Sequence, residues 1–91
     1  MILKYSDEFN KSVKKLNDKI ALKRLFVLIE KLEDAESLNE IQNVSAISNY
    51  HGRYRIRTGD FRLIVKYIRG EITILLLDYL KRDEKTYRKY N

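Results

Sequence analysis

The sequence predicts an α+β fold, in which a first strand and an αα-hairpin pack on one face of a largely antiparallel β-sheet. Apolar residues recur at helical spacing through residues 9–32, and from Tyr54 onward they recur at every second position. The predicted element order is β-α-α-β-β-β, followed by a C-terminal helix or ordered strap. Ninety-one residues allow one hydrophobic core, so we expect a single domain across residues 1–91.

The first third of the chain predicts a short strand and two helices. Residues 2–6 favour a strand, and Ser6 ahead of two acids is typical of a helix N-cap. Apolar residues then share one face of each helix: Phe9, Val13 and Leu16 in the first, and Leu22, Leu25, Phe26, Ile29 and Leu32 in the second. A hairpin with one apolar side must cover a sheet.

The second half predicts a meander of three strands. Residues 34–50 lack a clear period and predict a connector, with a helical turn or a short strand near IQNVSAIS. The strand segments that follow are YRIRT, FRLIVKYI and ITILLLDY, separated by the turns GD and RGE. The third segment is apolar on both faces, so we expect it inside the sheet with a neighbour on each side.

Composition excludes several classes of site. The chain has no cysteine and one histidine, so we expect no thiolate or histidine metal site, no cysteine nucleophile and no cofactor. Its first residues, MILKYSDEF, do not resemble a secretory signal, and no apolar stretch is long enough to span a bilayer. We therefore expect a cytoplasmic protein with no membrane partner.

The net charge of +6 arises entirely from residues 50–91, which hold eleven Lys/Arg and five acids. This asymmetry predicts a polyanionic partner, with nucleic acid first and an acidic protein second. The alternative is a basic surface that serves solubility alone.

Strand parity concentrates this charge on one face of a hairpin. Tyr54 and Ile56 point to one side, and Arg53, Arg55 and Arg57 point to the other. In the next strand the core set is Phe61, Leu63 and Val65, and the opposing set is Arg62, Ile64 and Lys66. Closure of the hairpin at TGD places Arg55, Arg57 and Arg62 together. Like charges so placed destabilise a sheet, so we expect an anion between them.

The tail adds a mixture of basic and aromatic residues that is typical of RNA-binding surfaces: Lys81, Arg82, Lys85, Arg88 and Lys89 with Tyr87 and Tyr90. For each tail lysine taken singly, a solvated surface is the favoured interpretation. His51 is a candidate for proton transfer, because histidine side chains in general can exchange a proton near neutral pH, or it only caps the entrance to the strand.

The hairpin YRIRTGDFRLIV and the segment KRDEKTYR resemble those of the RelE/ParE superfamily, toxins of bacterial toxin–antitoxin pairs. The resemblance covers nearly the whole chain and implies the RelE-like fold. RelE-like members cut mRNA in the ribosomal A site without a metal. The ribose 2′-OH attacks the adjacent phosphate, which leaves a cyclic phosphate and a 5′-OH.

Carried over residue by residue, the resemblance implies a catalytic set of Arg55, Arg62, Arg82 and Tyr87. Arg62 and Arg82 would hold the scissile phosphate with Arg55 beside them, and Tyr87 would stack on or orient the nucleotide. The remaining cations would bind RNA: Arg53, Arg57, Lys66, Lys81, Lys85, Arg88 and Lys89.

Two departures from the family pattern leave proton transfer unassigned. Arg55 and Arg57 stand where RelE has lysines, and arginine is effectively always protonated, so neither can easily replace a lysine as general base. The basic tail segment also lacks a histidine that many relatives have. The candidates are Tyr87, His51, Lys81 and ribosomal RNA.

The expected partners are a cognate antitoxin, the ribosome and mRNA. Two alternatives stay open: a ParE-like inhibitor of DNA gyrase, which needs no nuclease residues, and an inactive relative that only binds an antitoxin.

Overall fold

Two α-helices and five strands form in residues 1–68 and 72–82, the part of the chain that the computed structural model describes. In chain order they are β1 (Ile2–Tyr5), α1 (Asp7–Lys15), α2 (Lys19–Asp34), β2 (Val44–Ala46), β3 (Arg53–Thr58), β4 (Phe61–Ile68) and β5 (Thr73–Lys81). The predicted α+β order is confirmed. The predicted connector contains both a 3-10 turn at Leu38–Glu40 and the additional strand β2.

The strands form one mixed sheet in the order β1-β5-β4-β3-β2. Strands β2 to β5 pair antiparallel with their sequence neighbours, and β1 pairs parallel with β5. The inner position predicted for β5 is confirmed. This strand runs to Lys81, beyond the predicted segment, because Leu80 and Lys81 continue the pairing opposite Arg62 and Phe61.

Side-chain caps fix where each helix begins. The Ser6 hydroxyl accepts a hydrogen bond from the backbone N–H of Phe9 (3.0 Å) and donates one to the carbonyl oxygen of Leu77 (2.8 Å). Ser6 therefore caps α1, as predicted, and also joins it to β5. The Asp18 carboxylate accepts from the N–H of Ala21 (3.0 Å) and caps α2 in the same way.

The buried face of α2 differs from the predicted stripe. Its buried residues are Ala21, Leu25, Leu28 and Leu32, whereas Phe26 is 55% exposed. Apolar residues extend around much of this helix, so their spacing does not determine which face of the helix packs on the sheet. Ala21 is buried and its carbonyl oxygen accepts a hydrogen bond from Tyr79 of β5, and this orientation turns Phe26 to solvent.

The main core lies between the helices and one face of the sheet. It includes Ile56 of β3, Leu63 and Val65 of β4, and Ile74 and Leu76 of β5, each 1% exposed or less. These positions agree with the predicted strand parity.

Tyr79 connects β5 to α2 within this core. Its ring stacks on Phe61 with centroids 4.9 Å apart, and its hydroxyl donates to the Ala21 carbonyl oxygen at 2.8 Å. Burial, with a smaller contribution from the Asp18 carboxylate, raises the pKa of Tyr79 to about 12, and the positive charge of Arg24 partly opposes the rise. The phenol therefore stays protonated through the physiological range.

The second face of the sheet carries a small apolar cluster of its own. Ile47, Ile64 and Leu80 form a small cluster there, and each is 3% exposed or less. The segment that follows β2 brings Ile47 against the sheet, where its N–H donates to the carbonyl oxygen of Arg53. A compact apolar patch therefore lies among the arginines.

We expect Tyr79→Phe to lower the free energy of unfolding at pH 7 by about 0.5–1.5 kcal/mol, because it removes a buried hydrogen bond between the sheet and α2. Chemical denaturation followed by circular dichroism measures this loss. Tyr5→Phe, on a side chain that is 44% exposed, is the control and should cost much less. Equal losses in the two variants would contradict the structural role of the Tyr79 bond.

The same variant gives a pH prediction. Above pH 10 the unfolded chain ionises Tyr79, while the folded chain holds the proton up to about pH 12. Wild-type stability should therefore fall over this window relative to Tyr79→Phe, so the gap between the two proteins narrows as pH rises. Denaturation midpoints at pH 8, 10 and 11 test this, and a constant gap would show that Tyr79 titrates normally.

Candidate nucleic-acid interface

The pairing of β3 with β4 places the predicted cations on one face of the sheet. Arg57 pairs with Arg62, Arg55 with Ile64, and Arg53 with Lys66. The alternate positions, represented by Ile56 opposite Leu63, belong to the core. The sequence-based prediction that Arg55, Arg57 and Arg62 occupy neighbouring positions on one face is thus confirmed.

Arg62 is more constrained than the sequence implies. It is only 7% exposed, and its Nη1 donates to the carbonyl oxygens of Gly59 (3.2 Å) and Phe61 (3.0 Å). Its guanidinium therefore stabilises the tight β3–β4 turn, where Gly59 has φ +61°. Neither Nε nor Nη2 bonds to another described residue, and neither is a buried unpaired donor, so both can still donate to an anion.

The end of β5 meets the same turn. The backbone N–H of Arg82 donates to the carbonyl oxygen of Asp60 at 3.0 Å, and Lys81 pairs with Phe61. Lys81 and Arg82 both have exposed side chains. The fold therefore brings Arg82 close to the Arg57–Arg62 pair, although the sequence separates them by twenty residues or more.

Arg55 lies midway along the face. Its side chain is half-buried, and Nε donates to the Ser45 hydroxyl of β2 at 3.4 Å. This bond orients Arg55 toward the β2 side of the hairpin. Arg55 thus lies between the turn end of the face, at Arg57 and Arg62, and the opposite end, at Arg53 and Lys66.

The opposite end holds Arg53, Lys66 and His51. Arg53 lies over the ring of Tyr50, 4.9 Å from its centroid, which orients the guanidinium by a cation–π contact. Arg53 is about 13 Å along β3 from Arg57 at the usual strand rise. Exposed His51 lies beyond Arg53, so the fold does not bring it to the Arg57–Arg62 pair.

Four predicted site residues lie outside the described residues: Lys85, Tyr87, Arg88 and Lys89. One cation that sequence reasoning did not select lies at the turn. A Cβ added to Gly59 would be 3.2 Å from the Arg24 guanidinium carbon, so Arg24 of α2 lies against Gly59. The sequence shows Arg24 only as a charge outside the apolar stripe, and nothing in it indicates this contact.

The chemistry of the site is that of fixed positive charge. Arginine presents planar forked donors that match phosphate oxygens, and it stabilises negative charge that grows in a transition state. Among the described residues, no three His, Cys, Asp or Glu side chains group as metal ligands. None of the described helices is long and apolar enough to cross a membrane.

No family model matches the chain. A segment of 53 residues is 34% identical to the toxin RelE3 of Methanocaldococcus jannaschii, and it covers 57% of this chain and 59% of that toxin. The matching segment thus spans less than two thirds of that relative.

The fold comparison extends over almost the whole chain. A chain of the crystal structure of a RelB–RelE antitoxin–toxin complex from Methanococcus jannaschii superposes with a TM-score of 0.78 and 27% identity, covering 97% of this chain and 99% of that one. By sequence and by fold, the chain is RelE-like. In more distant structures the likeness is one of fold alone. The RelE–RelB complex from Pyrococcus horikoshii gives a TM-score of 0.71 at 22% identity, with 91% and 96% covered, and the isolated E. coli RelE toxin gives 0.64 at 18%, with 97% and 92% covered.

We expect Arg57→Gln to stabilise this RelE-like chain by about 0.2–1 kcal/mol at low salt, because it removes a like charge directly opposite Arg62. The gain should shrink as potassium chloride is raised, since salt screens the repulsion. Denaturation at 20 mM and 500 mM salt measures both effects. The matched change Lys14→Gln on α1, away from the hairpin, should show neither, and a destabilised Arg57→Gln would contradict the repulsion.

Proposed function

We propose that this chain is the toxin of a toxin–antitoxin pair, and that it acts as a ribosome-dependent, metal-independent endoribonuclease on mRNA in the A site. The observation that carries the proposal is the turn end of the hairpin. Arg57 and Arg62 lie opposite each other there, Arg82 meets the same turn, and all of this is set in a RelE-like fold.

The arginines would supply charge stabilisation in the proposed reaction. The ribose 2′-oxygen forms a bond to the adjacent phosphorus and loses its proton, and the bond to the 5′-oxygen breaks as that oxygen gains a proton. The crowded phosphate carries extra negative charge during this exchange, and several guanidinium groups around it lower the barrier. Arg62 would hold the phosphate through Nε and Nη2, with Arg57, Arg82 and Arg55 around it.

Proton transfer requires other groups, because arginine is effectively always protonated. Of the candidates, Lys81 is exposed and lies next to Arg82, but its register opposite Phe61 puts it on the helix-covered face of the sheet, and His51 lies at the far end of the arginine face. Tyr87 and ribosomal RNA complete the set. Neither described candidate therefore lies beside Arg57 and Arg62 on the arginine face.

The decisive experiment adds the purified protein to ribosomes stalled on a defined mRNA and maps new 5′ ends. We expect cuts in the A-site codon, and none in naked mRNA. Arg62→Ala should slow cleavage about 10²-fold or more, as loss of a transition-state donor does. Lys14→Ala on α1 is the surface-charge control and should cleave normally.

Folding must be measured alongside, because Arg62 also holds the turn. Exposed Arg57→Ala, which removes no side-chain bond to a described residue, gives a second variant with an expected loss of tenfold or more. Normal cleavage by both folded variants would refute the phosphate-binding assignment. If the folded wild-type protein makes no cuts, the two alternatives are favoured instead: inhibition of DNA gyrase, which a supercoiling assay measures, and an inactive relative.

We propose a RelB-like antitoxin as the second partner, which docks in the groove between α2 and the β2–β3 edge. Two similar solved chains come from RelB–RelE complexes. Ile20 and Val27 of α2 line this groove and are 66% and 46% exposed. Two acids, Asp34 and Glu40, also line it, but four cations outnumber them: Lys23, Arg24, Lys31 and Arg57. The groove therefore suits an amphipathic segment whose apolar stripe is flanked by acids. Three-residue β2 is the outer strand at this side of the sheet.

We expect Val27→Asp to weaken antitoxin binding at least about tenfold, because it replaces an exposed apolar residue that lines the groove with a charged one. Phe26→Asp is a matched control, since Phe26 is also exposed on α2 but does not line the groove. Titration calorimetry with the cognate antitoxin compares the two variants. Equal affinities would place the antitoxin on another surface.

A further inference from the structure

The β3–β4 turn is bordered by cations from three elements. Arg24 of α2 lies against the Cα of Gly59, and the Arg62 Nη1 of β4 bonds to the Gly59 carbonyl oxygen. The backbone of Arg82, at the end of β5, bonds to Asp60. The turn therefore stands between two guanidinium groups, with a third arginine beside it.

The position of Arg24 is fixed by the packing of its helix. Ala21 and Leu25, on either side of it in sequence, are 4% and 0% exposed, and the Ala21 carbonyl accepts the hydrogen bond from Tyr79. Arg24 itself is exposed. A rigid backbone thus presents a solvent-accessible guanidinium at the turn, which limits the entropy lost when it binds a ligand.

No carboxylate of the described residues forms an ion pair with Arg24, and none pairs with Arg57 or Arg62. Asp60 belongs to the same turn, yet it forms no ion pair with any of these three cations. Uncompensated like charges at one turn repel each other, and a polyanion that binds several of them removes the repulsion.

We propose that Arg24 binds a backbone phosphate of the RNA next to the phosphate held at Arg57 and Arg62. The RNA strand then runs from the arginine face of the sheet around the Gly59 turn onto the N-terminal half of α2. This inference rests on the proposed function and extends its binding site to a helix. Arg24 is a binding residue in this arrangement and takes no part in bond making or breaking.

Fluorescence anisotropy with a labelled single-stranded RNA of twelve nucleotides, over a series of salt concentrations, tests the contact. Each phosphate contact contributes about 0.7 to the slope of log K against log salt for a single strand. We expect Arg24→Gln to reduce the slope by about that amount, and Arg24→Lys to retain it. Lys31→Gln is the control. It removes the same charge at a position two turns further along the same face of α2, about 10 Å from Arg24.

The ribosome assay separates binding from chemistry. Arg24→Gln should raise KM severalfold with kcat nearly unchanged, in contrast to the loss of kcat expected for Arg62→Ala. An RNA salt slope equal to that of Lys31→Gln would overturn the assignment of Arg24, even if the wild-type protein cleaves mRNA. An unchanged slope with weakened antitoxin binding would also overturn it and assign Arg24 to the partner protein. Absence of ribosomal cleavage by the wild-type protein would refute the proposed nuclease while the salt slopes still report on Arg24.

Discussion

The register of the β3–β4 hairpin is the constraint on which the rest of the structure depends. With Arg57 opposite Arg62 and Ile56 opposite Leu63, all arginines of this hairpin share one face and the residues of the main core share the other. A slip of one residue would turn the charges into the core. The left-handed conformation of Gly59 and the bonds from Arg62 to the turn carbonyls hold the register. By fixing the register, this one turn thus determines both the core face and the basic face of the hairpin.

This arrangement places the main core, which stabilises the fold, on one face of the sheet and the positive charge on the other. The helix-covered face buries Leu25, Leu32 and Leu63 completely, and the Tyr79–Ala21 bond ties α2 to the sheet. Burial of that extent contributes far more than the fraction of a kcal/mol that opposing arginines cost. The chain can therefore keep an electrostatically unfavourable face without losing its fold. A sheet with the same charge but no helices packed on it would lack the free energy of burial that offsets this repulsion.

Strand parity, the turn at Gly59 and the inner place of β5 were predictable because each depends on local spacing or on a run of apolar residues. The orientation of Phe26, the burial of Arg62 and the contact of Arg24 with Gly59 were not. Each of these depends on how a helix or side chain meets an element distant in sequence, and the periodicity of α2 permits several rotations. The site residues of the hairpin were thus accessible to sequence reasoning, while Arg24 was not.

The groove and the basic face share residues, and this bears on how the proposed toxin would be held inactive. Arg24 and Arg57 both line the groove between α2 and the β2–β3 edge, and both belong to the turn end of the arginine cluster. An acidic segment seated in the groove would neutralise them without covering the whole face. RNA and antitoxin would then compete for the same two cations, and inhibition would follow from charge neutralisation at one end of the site. Because this competition is electrostatic, raising salt would weaken both complexes together.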